Sequence, residues 1–282
     1  MWMSESDFKL TLSGSFGFGA YFKMVLCLLD YYESSNRKFH IDIRHDGYAS
    51  TDTNIWDLVF KQPFGDIDSE LFISDPWEEI PSYRKHWTLE TASSSRANYE
   101  DHDFVKKYKK LCKKYIVFSA DVEKQVEKLF HFYKDKKILG IHKRGRDHLT
   151  VGHARQQSHK IDDEFMSSLI KKNIDNYDYI YLTSDETHWY NFLKKEYGDN
   201  LLFWDDKSQM IDGTVGLHHY SLLDGRVTDE DKEKRFKDLI TEILILSKCD
   251  KMLLMNSNVS HMALFFSDHY NYEFYDCHLM YS

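Results

Sequence analysis

The chain has 282 residues, 46 acidic and 37 basic, for a formal charge of −9. That balance excludes a protein whose affinity comes from covering many nucleic-acid phosphates, so no nucleic-acid partner is expected and an anionic ligand must meet a local basic pocket. A hydrophobic share of 42% with 16% aromatics and three prolines excludes long disordered linkers, and the length predicts two domains of roughly 130 to 150 residues facing a cleft. Cys27, Cys112, Cys249 and Cys277 match no metal or redox spacing, so a reduced, cytoplasmic setting is expected. No apolar run nears the roughly 18 residues of a membrane span, and the start is acidic where a secretory signal is basic. A soluble chain is expected, whether or not a longer parent carries an anchor.

In chain order, Phe8 to Ser13 reads as a strand, GSFGFG as a turn whose Gly17 and Gly19 let backbone N–H groups approach a ligand, and Phe22 to Tyr32 as a helix by its apolar spacing. The same glycines suit a plain tight turn. Lys38 to Ile43 predicts a second strand with Arg44, His45 and Asp46 past its end, and Asn54 to Phe60 a short helix. Phe72 to Arg96 mixes acids and aromatics, as a cleft-lining loop does and as a solvated connection equally does. Six lysines between Asp103 and Lys114 sit beside the apolar stripe Val105, Tyr108, Leu111 and Cys112, which marks an amphipathic helix with a solvated face. Tyr115 to Phe118 reads as a strand and Ala120 to Tyr133 as a helix. The lysine-rich YKDKK that follows divides the chain into domains 1–135 and 136–282, with the last residues available to pack back on the first domain.

The second half alternates strand and helix, which predicts an α/β fold with a parallel sheet. Its organising stretch is Lys137 to Ala154, KILGIHKRGRDHLTVGHA. A short buried strand ends in His142, Lys143, Arg144, Asp147 and His148, where open α/β sheets bind ligands. An arginine there can grip a diphosphate with a planar fork of donors, with Asp147 holding the fork. A charged surface turn has the same composition. Further on, helices near Asp162–Ile174 and Thr187–Tyr197 flank a strand at Tyr179–Leu182, and a strand follows at Leu201 to Trp204. A long amphipathic helix through Phe236 and Leu244, a strand at Lys251 to Met255 and the polar turn NSNVS complete the pattern. Thr183, Ser184, Asp185 and Glu186 converge at one strand end, Ser257, Asn258 and Ser260 at another. The hydroxyls and N–H groups suit phosphate, and Asp185 or Glu186 suits a ribose or base, although each is also a common helix cap.

These residues resemble the α-1,6-fucosyltransferases and, more loosely, the protein O-fucosyltransferases, which pair two Rossmann-like domains in a GT-B fold. The resemblance runs through GFGAYFKMVLCLL, FHIDIRHDGY with NIWDLVFKQPF, GIHKRGRDH, YIYLTSDE and LILSKCDKMLLMNSNVS, in the family's order. It implies a GDP-fucose donor, an oligosaccharide or glycoprotein glycan as acceptor, inversion, and no metal or other cofactor. It also implies that Arg144 holds the β-phosphate, that Asp147 and His142 belong to the same motif, that Ser257 and Asn258 form a phosphate-binding turn, that Asp185 and Glu186 stand at the Thr-Asp-Asp pair, and that Glu242 stands where the family uses an aspartate for guanine. The chain departs from the pattern at Gly145 for the second arginine, His148 for a lysine, and Gly152 beside His153 for a proposed glutamate base.

Inverting transfer needs a base for the acceptor hydroxyl and charge stabilisation on the leaving diphosphate. The base candidates are Asp75, Glu78, Asp46, His148 and His153, with Asp75 preferred. His142, His148, His153 and His159 lack a regular ligand spacing, so no metal site is expected. The departures after Arg144 leave room for another donor such as UDP-xylose. Two other classes stay open: a non-catalytic nucleotide- or glycan-binding protein, and a sulfotransferase, marked by adenosine bisphosphate binding.

Overall fold

A computed structural model describes residues 7–14, 16–74, 101–143, 163–184, 186–203 and 227–275. The chain divides into two units, Met1–Lys124 with Leu217–Lys237, and Gln125–Gly216 with Asp238–Ser282. In the first, alternating residues make β1 (Phe8–Ser13) and β2 (Phe39–Arg44) half-buried strands, with Phe8, Leu10, Leu12, Phe39, Ile41 and Ile43 turned inward. They pair in parallel from Phe8 against Phe39 to Ser13 against Arg44, joined by helix α1 (Phe18–Ser35). The chain leaves β1 through Gly14 at φ +138°, a backbone region that favours glycine. α1 closes on Asn36 in the left-handed region, whose N–H donates to Tyr32 O. The short β3 (Phe72–Ile73) adds in parallel on the other side of β1.

Beyond β2 the sequence pattern and the structure part. Asn54 to Phe60 is a run of turns, not a helix. Asn54 spends its amide on β2, accepting from Ile43 N–H at 2.9 Å and donating to Ile41 O at 2.7 Å. Gln62 does the same at Ile41, accepting from its N–H at 2.9 Å and donating to its carbonyl at 2.8 Å. These long-range bonds outcompete a local helix. Trp56, Phe60, Phe18 and Phe22 pack as an aromatic core that Phe236 joins, its ring 4.8 Å from that of Phe18. Helix α2 (His102–Tyr115) begins at Asp101, whose carboxylate accepts from Asp103 N–H and Phe104 N–H, and buries the expected stripe. Tyr115 ends this helix, so the strand expected at Tyr115 to Phe118 reduces to one antiparallel bridge between Phe118 and Phe60. α2 is tied to α1 by Lys107 with Asp30, Lys114 with Glu33, and a hydrogen bond from the Tyr115 hydroxyl to Glu33. Helix α3 (Ala120–Phe132) follows.

The second unit holds β4 (Ile138–Lys143), α4 (Asp163–Ile174), β5 (Tyr179–Ser184), α5 (Thr187–Tyr197), β6 (Leu201–Leu202), the later turns of α6 (Asp229–Ser247), β7 (Lys251–Leu254), α7 (Asn258–Phe266) and β8 (Tyr272–Phe274). All five strands are parallel in the order β6-β5-β4-β7-β8. Burial on both faces explains why β4 opens with the run Ile138–Ile141 and does not alternate apolar with polar residues. One face packs Leu139, Ile141, Ile180, Leu182 and Leu253 against Met166, Ile170, Trp189 and Leu193. On the other, a Cβ at Gly140 would lie 2.7 Å from Leu246 Cδ1 and 2.9 Å from Cys249 Cβ, so only glycine lets the end of α6 come this close. Among the described residues no helix is long and apolar enough to cross a membrane.

Candidate functional site

The strand order of the second unit creates a switch point. From β4 the chain steps outward through β5 to β6, then returns to the opposite side of β4 with β7 and β8. The crevice at the carboxyl ends of β4 and β7 is where such sheets bind ligands. His142 lies at this end of β4, in register with Thr183 on β5 and Leu254 on β7. Its side chain is buried, with Nδ1 hydrogen-bonded to Ser260 Oγ at 2.7 Å and 3.5 Å from Ser257 Oγ. Its carbonyl accepts from the Tyr275 hydroxyl at 2.7 Å. Ser257 caps α7, its Oγ accepting from Ser260 N–H at 3.2 Å. The first turn of α7 is therefore stitched to the end of β4, and its positive dipole end is fixed at the switch point beside Asn258.

The β5 end is held as firmly. Ser184 N–H donates to the Tyr190 hydroxyl at 3.0 Å, and Glu186 N–H donates to Ser184 Oγ at 3.2 Å. Glu186 Oε2 accepts from Trp189 Nε1–H at 2.7 Å and lies 3.6 Å from Lys143 Nζ. Glu242 lies buried on α6, and its charge, after burial itself, helps push the Tyr181 hydroxyl well above the usual tyrosine range. Glu242 is thus on the face of the sheet that carries Gly140 and His142.

In the first unit Gly17 is the N-cap of α1 with ordinary extended angles, and Gly19 lies in the first turn. One N–H of that turn is already used, since Phe18 N–H donates to the Tyr48 hydroxyl at 3.1 Å. His45 Nδ1 accepts from Gly47 N–H at 3.0 Å and lies 3.7 Å from Asp46 Oδ1. The Asp46 carboxylate is 55% exposed.

Of the residues the sequence singles out, His142, Glu186, Ser257, Asn258 and Glu242 fall in the second unit and Gly17, Gly19 and Asp46 in the first. Asp75, Glu78, Arg144, Gly145, Asp147, His148, Gly152, His153, His159 and Asp185 lie outside the described residues. Sequence reasoning did not assign Lys143, Trp189, Tyr190 or Tyr275, which hold the strand ends in place. An aromatic pair WY in the first turn of a helix after a strand is the signal that Trp189 and Tyr190 left.

Strand order and connections define an α/β protein built on parallel sheets with a switch point in the second. No protein-family profile matches the sequence, and no curated protein does. Solved structures do. The NodZ α-1,6-fucosyltransferase soaked with GDP-fucose aligns with a TM-score of 0.57 at 12% identity, over 93% of each chain. Fucosyltransferase NodZ from Bradyrhizobium gives 0.55 at 12% identity over 93% of each. A variant of Arabidopsis thaliana FUT1 in complex with GDP gives 0.50 at 11%, over 92% of this chain and 68% of that one. The chain has the GT-B fold of these fucosyltransferases.

Proposed function

We propose that this protein is a glycosyltransferase that moves a sugar, fucose from GDP-fucose on the likeness to NodZ, to a hydroxyl of an oligosaccharide or glycoprotein glycan, with inversion and without a metal ion or other cofactor. The observation that carries the reading is the alignment over 93% of both chains with a fucosyltransferase soaked with GDP-fucose. The parallel switch point in the second unit supports it. His142, capped Ser257 and Asn258 stand there, and Arg144 follows the last residue of β4 in sequence.

In this reading Arg144, held by Asp147, neutralises charge on the β-phosphate as the bond between it and the anomeric carbon breaks. Ser257, Asn258 and the N–H groups of α7 bind the diphosphate, Asp185 and Glu242 serve ribose and base, and Gly17 and Gly19 let backbone reach the donor. The acceptor oxygen attacks the anomeric carbon and gives its proton to a general base, with the Asp75 carboxylate the first candidate and the His148 imidazole the second.

A thermal-shift panel of GDP, UDP, ADP, CMP and adenosine 3′,5′-bisphosphate, with and without Mg²⁺, tests the reading. A ligand that binds the native state raises its melting point by mass action. GDP is expected to give the largest shift, independent of Mg²⁺. A response led by UDP moves the donor to a UDP-sugar, and one confined to the adenosine bisphosphate overturns the reading in favour of sulfotransfer.

A further inference from the structure

The end of β4 presents a second side chain, on the face opposite His142, to which no role has been given. Lys143 is 7% exposed. Its Nζ stands 3.6 Å from Glu186 Oε2 and 5.1 Å from the centre of the Trp189 ring, and Trp189 in turn donates to the same Oε2 at 2.7 Å. Burying an ammonium group is costly, and here a carboxylate and an aromatic face meet it together. Lys143 is the register partner of Ser184, and Glu186 N–H is bonded to Ser184 Oγ. The contact therefore fastens the last residue of β4 to the turn that follows β5.

What lies next in the chain gives this fastening a purpose. Arg144 directly follows Lys143, and Asp185 directly precedes Glu186. In sequence the two candidate donor contacts follow two different strands, and the buried pair joins the ends of those strands. We propose that Lys143 and Glu186 are positioning residues for nucleotide binding, holding together the carboxyl ends of β4 and β5 beside the switch point. The Glu186 carboxylate serves Lys143 and Trp189 in place of a ribose. This inference rests on the donor reading above.

The sign of one substitution separates positioning from simple electrostatics. If Lys143 were a phosphate ligand restrained by Glu186, then Glu186→Gln would remove a negative charge, release the lysine and tighten binding of an anion. Positioning demands the opposite. Glu186→Gln keeps the shape and an oxygen to accept from Trp189, so this variant tests the charge without emptying the site.

Calorimetric titration of GDP into the whole protein provides the measurement, with UDP in its place if the panel selects it. Glu186→Gln and Lys143→Met should each weaken binding roughly tenfold, the scale of coupling between touching residues. Their combination should weaken it no further than the worse single variant, and Lys143→Arg, which keeps a cation over the ring, should bind within about twofold of wild type. Wild-type protein that binds no nucleoside diphosphate overturns the donor reading and this inference together. Wild-type binding that is unchanged or tighter in Glu186→Gln, or losses that simply add in the double variant, overturns the inference alone.

Discussion

Gly140 joins the fold to the site, and replacing it with alanine has a calculable consequence. The new Cβ would stand 2.7 Å from Leu246 Cδ1 and 2.9 Å from both Cys249 Cβ and Sγ. Carbon atoms pack best at about 3.5 to 4 Å, so each contact is short by about 0.6 Å or more. Leu246 can swing its terminal methyl aside, but Cys249 Cβ is fixed to backbone that is itself held by His269 Nε2 at 2.6 Å from the Cys249 carbonyl. The start of β7 must then move as a unit. Overpacking of this kind costs about 1 to 3 kcal/mol. For a chain this long, about 2 kcal/mol corresponds to a fall in Tm of about 4 to 8 °C. Scanning calorimetry should show the loss in the transition of the second unit. Cys249→Ala removes Sγ but leaves Cβ, so it should not rescue the variant. A Gly140→Ala protein melting within about 1 °C of wild type would refute the close-packed end of α6.

Other expectations bear on chemistry and pH. Arg144→Ala should cost about 2 to 4 kcal/mol of transition-state stabilisation, and Arg144→Lys should fail as well, because a point charge does not reproduce a planar fork; steady-state rates near wild type in either folded variant would remove Arg144 from the site. Asp75→Asn should depress turnover while GDP affinity stays within about twofold, and normal turnover there, beside inactive His148→Ala with nucleotide bound, would assign the base to His148. Lys23 is buried in α1, and loss of hydration lowers its pKa from 10.5 to about 8. The unfolded chain therefore binds more protons between about pH 8 and 10.5, so this residue costs stability below pH 8 and the cost is relieved as pH rises. Denaturation of wild type against Lys23→Met should show the difference moving toward wild type by roughly 3 kcal/mol across that window, and a flat difference would contradict the buried charge.

The sequence was most legible where one physical pattern dominated. Thr187–Tyr197 was read to the residue because apolar spacing and the preceding strand agree. The parallel sheet of the second unit followed from alternation of strands and helices, and the strand ends then located His142, Ser257 and Asn258. Legibility failed where side chains override local preference. NIWDLVF has a helix's composition, but Asn54 is spent on β2; YIVF has a strand's, but Tyr115 is consumed by α2 and its bond to Glu33. β8 is three residues long and too short for periodicity to mark it. Lys143 was visible as a charge at a strand end, but its partner lies across the strand pair and 43 positions on, a relation that spacing does not carry.

The amide ladder on β2 bears on how the protein behaves among copies of itself. An open strand edge is a template on which another chain can add, and among the described residues β2 is an outer strand of its sheet. Asn54 and Gln62 already occupy Ile41 N–H, Ile41 O and Ile43 N–H, and Ile55 N–H takes Ile43 O at 2.8 Å. An incoming strand would have to displace bonds that are already made. The turns read from sequence as a helix thus act as a selvedge, finishing the edge of the sheet against fraying and against accretion.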